Sequence, residues 1–132
     1  MKTTQKVSTL ILNFNRAITE SRTYFVNEYF FGLEPILDGI YKDGWIIGYK
    51  IHNISQSVEI FLKYDIKDKP VLTHVQSIWK PSLQPIIRIR QLASDSKNTA
   101  YTGIIRTAKF GFLTGRQALK NKTGGVYLAK FY

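Results

Sequence analysis

Two short motifs in the C-terminal half are of the type that supports catalysis by an activated serine. Residues 94–97 read Ser-Asp-Ser-Lys, which matches Ser-x-x-Lys, and residues 122–124 read Lys-Thr-Gly. In serine enzymes that carry both motifs, the nucleophile opens a buried helix in which the neighbouring lysine can lose its proton. Here Ser94 lies in a polar stretch without an apolar face, and the accompanying Ser-Asp-Asn element is missing. We therefore expect no catalytic residue and no enzymatic activity.

A different chemistry is suggested by residues 107–114, which read Thr-Ala-Lys-Phe-Gly-Phe-Leu-Thr. Small residues let backbone N–H groups approach phosphate and ribose 2′-hydroxyl groups closely, and Lys109 with Arg106 would supply positive charge. A helix beginning after Thr114 would present its first amides to an anion. An ordinary strand–turn–helix unit explains this segment equally well, so the segment alone does not establish binding.

The positive charge of the chain is concentrated in its C-terminal half. The 132 residues carry a net charge of +10. Residues 1–72 hold nine Lys/Arg and eight Asp/Glu, a net charge of +1, whereas residues 73–132 hold ten Lys/Arg and one acid, Asp95, a net charge of +9. A solvated surface normally interleaves both signs, so the asymmetry indicates a surface that faces a polyanion. The alternative is a soluble basic protein without such a partner.

Apolar periodicities predict an α+β chain that would hold these residues in place. Residues 10–18 form an apolar helical face with Ser8 placed as its N-cap, and residues 33–41 form a second stripe that Gly44 would end. Strands are predicted at residues 45–51, 58–64, 71–75, 86–90, 104–106 and 126–131. The predicted connections are a hairpin loop at residues 52–57, a polar connector at residues 94–99 and a turn at Gly124-Gly125. A short helix is predicted from Thr114 to Asn121, and Gln117 would complete its capping box.

Composition excludes several kinds of site. Without cysteine there are no disulfides or thiolate ligands, and packing explains the two histidines, His52 and His74, better than metal binding does. No apolar run approaches the ~20 residues of a membrane span, so we expect no membrane partner, no cofactor and no metal.

Residues 1–19 lack acids, as transit peptides do, but their helical face favours a genuine first helix. The chain contains 16 Ile but only 6 Ala, and 13 Lys but only 6 Arg. This bias is typical of AT-rich codons, as in many mitochondrial genomes.

Several motifs, in their order and spacing, resemble universal small-subunit ribosomal protein eight in its bacterial and organellar form. Residues 107–125 align without a gap with the family's Ser-Thr-Ser-Lys-Gly, two apolar residues, Thr, a helix containing Ala, and Gly-Gly before the last strand. Residues 78–83 (Ile-Trp-Lys-Pro-Ser-Leu) are similar to its Ile-Ser-Lys-Pro-Gly-Leu, and residues 59–64 to its Glu-Leu-x-Leu-Lys-Tyr strand. Residues 36–46 resemble its helix that ends in an acid, Gly, an aromatic and Ile. The resemblance covers nearly the whole chain, most loosely residues 1–30.

The resemblance implies two small α/β subdomains, residues 1–72 and the basic, rRNA-binding residues 73–132, the second mainly β with a short helix. It implies a structural constituent of the small ribosomal subunit that binds the central domain of small-subunit rRNA and supports assembly and translation. The expected partners are this rRNA and neighbouring ribosomal proteins, without homo-oligomerisation. We expect a mitochondrial ribosome, with an organelle-encoded chain and no cleaved transit peptide. The alternative is a basic RNA- or DNA-binding module outside the ribosome.

The resemblance and the charge also select the residues expected to contact RNA. Direct contacts are expected from Thr107, Lys109, Gly111, Thr114, Gly124 and Gly125, the last two of which would equally suit a plain turn. Electrostatic support is expected from Lys80, Arg88, Arg90, Arg106 and Arg116. The family's Ser-Thr-Ser triplet keeps one hydroxyl here, at Thr107, and Ile86 stands where a Tyr is frequent. Phosphate contacts from Lys109, Arg88 and Arg90 are expected to compensate.

Overall fold

The fold is described by a computed structural model over residues 2–80, 82–95 and 101–132. Within these residues lie four helices: α1 Lys2–Thr19, α2 Leu33–Lys42, α3 Ile89–Asp95 and α4 Gly115–Lys120. The same residues form eight strands: β1 Tyr24–Glu28, β2 Ile46–His52, β3 Ser57–Leu62, β4 Val75–Ser77, β5 Ile86–Ile87, β6 Thr102–Thr107, β7 Gly111–Thr114 and β8 Gly125–Phe131. Helices combined with antiparallel sheets confirm the α+β class. Pro81 and residues 96–99, which include half of the Ser-x-x-Lys motif, lie outside the described residues.

The N-terminal sheet is antiparallel, in the order β1-β3-β2. Strand β3 alternates buried and half-buried side chains, as its sequence pattern predicts. Strand β2 departs from its pattern at Ile47, which is exposed although alternation places it with the inward residues. The register of β2 against β3 shifts between Ile46 and Gly48. This irregularity turns Ile46 into the core in place of Ile47, because one added residue reverses which face a side chain occupies.

The C-terminal sheet is built around the last strand, in the order β4-β8-β6-β7. Strand β4 pairs with the C-terminal part of β8, and β5 pairs with its N-terminal part. Helices α3 and α4 contact each other, and their residues Leu92 and Ala118 form a small core cluster with Ile87 and Ile105 of the sheet. This half therefore contains two short helices within its described residues, not the single helix expected.

The main core draws residues from helices α1 and α2 and from both sheets. The ring of Phe14 in α1 lies 4.8 Å from that of Phe25 in β1 and 5.3 Å from that of Phe131 in β8. Beside it, the Asn15 side chain donates a hydrogen bond to the Val75 carbonyl and accepts one from the Val75 N–H, both at 2.9 Å. Buried packing thus crosses the boundary at residue 72, and the division into two subdomains stays a prediction.

Three predicted boundaries differ from the structure. Helix α1 begins at Lys2, so Ser8 lies in its interior and caps nothing. Strand β4 begins only at Val75, four residues later than the pattern indicates. The strand predicted at residues 86–90 stops after Ile87, and helix α3 follows. The Gln91 side chain accepts a hydrogen bond from the Arg88 N–H at 3.0 Å, so a local polar contact outweighs the short alternating pattern here.

The last helix begins as predicted but the turn after it does not lie where it was expected. Thr114 accepts a hydrogen bond from the Gln117 N–H, and the Gln117 side chain accepts one from the Thr114 N–H, which completes the capping box. The turn follows at Asn121 and Lys122, and Lys122 has a left-handed backbone with φ of +53°. The Gly124-Gly125 pair is therefore not the turn, and Gly125 already belongs to β8.

Candidate nucleic-acid interface

Strand pairing brings several of the predicted contact residues to one end of the C-terminal sheet. Thr107 at the end of β6 pairs with Gly111 at the start of β7. Arg106 pairs with Val126 near the start of β8, and Ile87 at the end of β5 pairs with Gly125. These antiparallel registers therefore place the turn at residues 108–110, the Gly124-Gly125 pair and Arg88, which follows β5, at the same end of the sheet.

The Thr107 hydroxyl shapes this turn from inside. Its side chain is buried. The hydroxyl donates a hydrogen bond to the Gly111 carbonyl at 2.8 Å and accepts one from the Phe110 N–H at 2.9 Å. Since its proton is already committed within the chain, Thr107 does not offer the free donor that the family's hydroxyl triplet suggested. Its contribution is to hold residues 108–111 in place.

Lys109 and Gly111 form the outer surface of the turn. Both are exposed, and the Lys109 ammonium lies 5.5 Å from the centre of the Phe110 ring, a cation–π arrangement. Gly111 has φ of +73°, which L-residues rarely adopt, and no atom lies within 4 Å of the position that a Cβ would take. Glycine is thus required here by backbone conformation, and open space remains where another molecule can approach.

Packing within the chain explains why residues 124 and 125 are glycines, without reference to any partner. A Cβ on Gly124 would lie 2.5 Å from the Ile87 carbonyl oxygen, and a Cβ on Gly125 would lie 2.3 Å from the Arg106 carbonyl oxygen. Both positions are therefore needed for close backbone approach between β8 and its two neighbours. The structure therefore shows close packing and not a turn at this pair, and RNA contact by these glycines stays a prediction.

Thr114 and Arg116 lie at the opposite end of β7 from Gly111. Thr114 is buried and its hydroxyl caps α4, so neither this hydroxyl nor the Gln117 amide is open to an anion. The Arg116 guanidinium lies 3.6 Å from an Asp43 carboxylate oxygen. The structure therefore separates these two predicted contact residues from the turn, and Arg116 offsets a carboxylate of its own chain.

Arg106 is also partly engaged within the chain. Its guanidinium donates a hydrogen bond to the Thr4 hydroxyl of α1 at 2.8 Å, across 102 positions of sequence. The side chain is half-buried. Arg106 thus joins the first helix to β6 and keeps only part of its hydrogen-bonding capacity for a ligand, since a guanidinium carries five N–H donors.

The remaining predicted cations are exposed. Lys80, Arg88 and Arg90 lie on the surface, and none of them, nor Lys109, takes part in the ion pairs found among the described residues. Lys122, an exposed residue in the turn before Gly124, was not among the predicted contact residues. The Lys-Thr-Gly motif could have identified Lys122, because it supplies a positive charge at this end of the sheet.

Two further features bear on the kind of site present. Within residues 2–80, 82–95 and 101–132, no group of three His, Asp or Glu residues is arranged to hold a metal ion. None of the helices in the same parts of the chain is both long and apolar enough to cross a membrane.

The comparisons with known proteins agree on one family. A family model described as Ribosomal protein S8 matches residues 6–132. Similar curated proteins, all named small ribosomal subunit protein uS8, include one from Borrelia hermsii, 31% identical over 106 residues and 75% of each chain. Another, from Christiangramia forsetii, is 30% identical over 96 residues, 70% of this chain and 71% of the relative. This is a family of ribosomal structural proteins and not of enzymes. Because the family model spans nearly all of the sequence, the chain belongs to the ribosomal protein S8 family.

Proposed function

We propose that the protein, as a structural constituent of the small ribosomal subunit, binds the central domain of small-subunit rRNA through one end of its C-terminal sheet. This surface, here called the basic end, consists of Arg88, Lys109, Gly111 and Lys122; Arg90 follows Arg88 in the first turn of α3. The observation that carries the proposal is the strand register, which gathers exposed cations from three separate segments at this end. No enzymatic step is involved, and one copy of the chain acts without homo-oligomerisation.

Electrostatics supply the main attraction in this proposal. Asp95 is the sole acid among residues 73–132, so the carboxylates of this half do not balance its ten cations. Cations that meet phosphates release condensed counterions, which favours binding to any RNA. Phosphate contacts fix the position of the protein but carry little sequence information.

Recognition of shape would come from the backbone of the turn. Gly111 leaves open space beside a turn that the Thr107 hydroxyl holds in one conformation. Because Gly111 has no side chain, the backbone beside the turn can approach a shallow RNA minor groove, where ribose hydroxyls and base edges are displayed. Because the Thr107 hydroxyl already holds the turn in one conformation, the turn loses less conformational entropy on binding.

The salt dependence of binding by full-length charge variants tests this proposal. Isolated halves are unsuitable because the main core draws on both. Lys109→Ala and Lys122→Ala should each lower the slope of log K against log salt by about 0.7–0.9 for a central-domain rRNA fragment, one contact's share. Lys67→Ala, at an exposed position of the N-terminal half, is the matched control and should leave the slope unchanged. Equal slopes for all three variants would contradict the basic end as the binding surface.

We propose further that the ribosome is mitochondrial. The support is compositional, since the excess of Ile over Ala and of Lys over Arg is typical of AT-rich coding sequences. The relatives named above are bacterial proteins, and an organellar ribosome of bacterial type accommodates both observations. Sedimentation of ribosomes from purified mitochondria and from cytosol, followed by mass spectrometry of the small-subunit peaks, tests the location. Recovery only outside ribosomal particles would favour a free RNA-binding module instead.

A further inference from the structure

A groove lies between the β1–α2 connection and the β6–β7 turn. Its volume is about 470 Å³, which falls within the range of about 300–1,000 Å³ typical of small-molecule sites. Phe31 lines it from the β1–α2 side, and Phe110 and Gly111 line it from the turn. Because Gly111 belongs to both, the groove is continuous with the basic end.

Two phenylalanines of this groove are placed where the fold does not bury them. The Phe31 side chain is 92% exposed and that of Phe110 is 43% exposed, whereas their neighbours Phe30 and Phe112 are buried. A large aromatic side chain that stays in water gives up the favourable free energy of burial. Two such rings on one groove form an exposed aromatic surface.

Ring packing and a backbone hydrogen bond hold the backbone around Phe31 in place. The rings of Phe30 and Phe112 pack edge to face with centres 6.5 Å apart. Gly32, with φ of +96°, lies against Phe112 so closely that a Cβ would be 2.7 Å from that ring. The Leu33 N–H donates to the Phe30 carbonyl at 3.1 Å. These contacts anchor the backbone on both sides of Phe31 while its ring points into solvent.

The charges around the groove favour a nucleotide over an apolar peptide. Arg106 lines the groove, and the Lys109 ammonium lies 5.5 Å from the Phe110 ring centre. The acid in its lining, Glu34, accepts a hydrogen bond from the Tyr29 hydroxyl at 3.1 Å, and this bond raises the pKa of that phenol. Aromatic rings bordered by cations suit a base that stacks while its phosphate meets positive charge.

We propose that this groove binds an unpaired base of RNA, stacked on Phe31 and Phe110, with its phosphodiester beside Lys109. The inference rests on the proposed function, because it assumes that RNA occupies the adjoining basic end. It adds a preference for single-stranded over fully paired RNA, which cation contacts alone do not provide. A protein segment in the groove is the competing occupant.

Fluorescence of 2-aminopurine tests the proposal on the full chain. One probe is a single-stranded oligoadenylate containing a 2-aminopurine, and the other is a fully paired RNA hairpin with equal phosphate number. Phe31→Ala and Phe110→Ala should weaken binding of the single strand about 5- to 150-fold, the range expected for one lost base stack. Both should also abolish the change in 2-aminopurine fluorescence that accompanies binding. Phe31→Tyr should retain both signals. Ile54→Ala, a change at a fully exposed apolar residue of another loop, should change nothing.

The results separate the groove from the basic end. Stacking adds affinity without neutralising phosphates, so Phe31→Ala should leave the salt slope and hairpin binding unchanged. If both phenylalanine variants bind the single strand normally while Lys109→Ala still lowers the salt slope, the groove proposal is overturned and the basic end stands. If they bind both RNAs normally but no longer co-sediment with small subunits, the occupant is a protein and the proposal is wrong. If Lys109→Ala also has no effect on either RNA, the proposed function fails with it.

Discussion

Replacing Gly125 with alanine should destabilise the fold, although the sequence suggests an RNA contact at this position. Gly125 lies in β8 between β5 and β6, and an added Cβ would lie 2.3 Å from the Arg106 carbonyl oxygen and 2.8 Å from a methyl carbon of Ile105. Ordinary contacts at a Cβ begin near 3.4 Å. The nearest of these atoms is backbone and cannot rotate away, so β6 and β8 must separate by about 1 Å.

The expected cost combines three effects. Overpacking a well-packed site typically costs about 1–3 kcal/mol, and a stretched ladder hydrogen bond adds about 0.5–1.5 kcal/mol. Alanine also reduces the entropy of the unfolded chain, which offsets about 0.4–1 kcal/mol. We therefore expect the free energy of unfolding to fall by about 2–3 kcal/mol, a large part of the roughly 5–15 kcal/mol of a typical domain.

Urea unfolding, followed by circular dichroism, measures this change. With a slope of about 2 kcal/mol per molar urea, the midpoint for Gly125→Ala should fall by about 1–1.5 M. Gly48→Ala is the matched control, since Gly48 also lies in a strand but no atom is within 4 Å of its Cβ position. Its midpoint should stay the same or rise slightly. An unchanged midpoint for Gly125→Ala, combined with weaker RNA binding, would refute the packing argument and restore Gly125 as a contact residue.

Three further substitutions test how polar and close contacts support the site. Thr102→Val should cost about 1–3 kcal/mol in urea unfolding, because the Trp45 indole N–H, which donates to the Thr102 hydroxyl at 2.7 Å, loses its partner; Thr102→Ser should restore most of this stability. Thr107→Val should weaken RNA binding because the turn loses the two hydrogen bonds of the Thr107 hydroxyl. The salt slope should stay the same, and an altered slope would show that the side chain acts on phosphates. Gly39→Ala should lower the urea midpoint despite alanine's higher helix propensity, because its Cβ would lie 2.0 Å from a Thr114 methyl carbon; a raised midpoint would contradict this.

Local elements were predicted well because their causes are local. The stripe that begins at Leu33 became α2, with Leu33, Ile36, Leu37 and Ile40 buried. The capping box of Thr114 and Gln117 formed as expected. Such features depend on side chains within about one helical turn. Predictions failed where a few residues carried the pattern, as at Ile47 and at residues 86–90.

The tertiary structure changed the role of several candidate residues. Thr107 turned inward, and Arg116 joined Asp43 at the other end of β7. Arg106 reached Thr4 across most of the chain. A hydroxyl or a guanidinium in a sequence has many potential partners, and the pairing of distant segments selects among them. Residue type therefore indicated binding chemistry without showing which groups stay free for a ligand.

The sequence by itself determined the charge asymmetry, the α+β class and the family, because composition, periodicity and motif order are properties of the chain alone. Only the tertiary structure decided that exposed cations gather at the basic end and that Phe31 and Phe110 share a groove. Periodicity specifies which face of a strand is buried. It does not specify which strand lies beside it or at which register, because those depend on how the whole core packs.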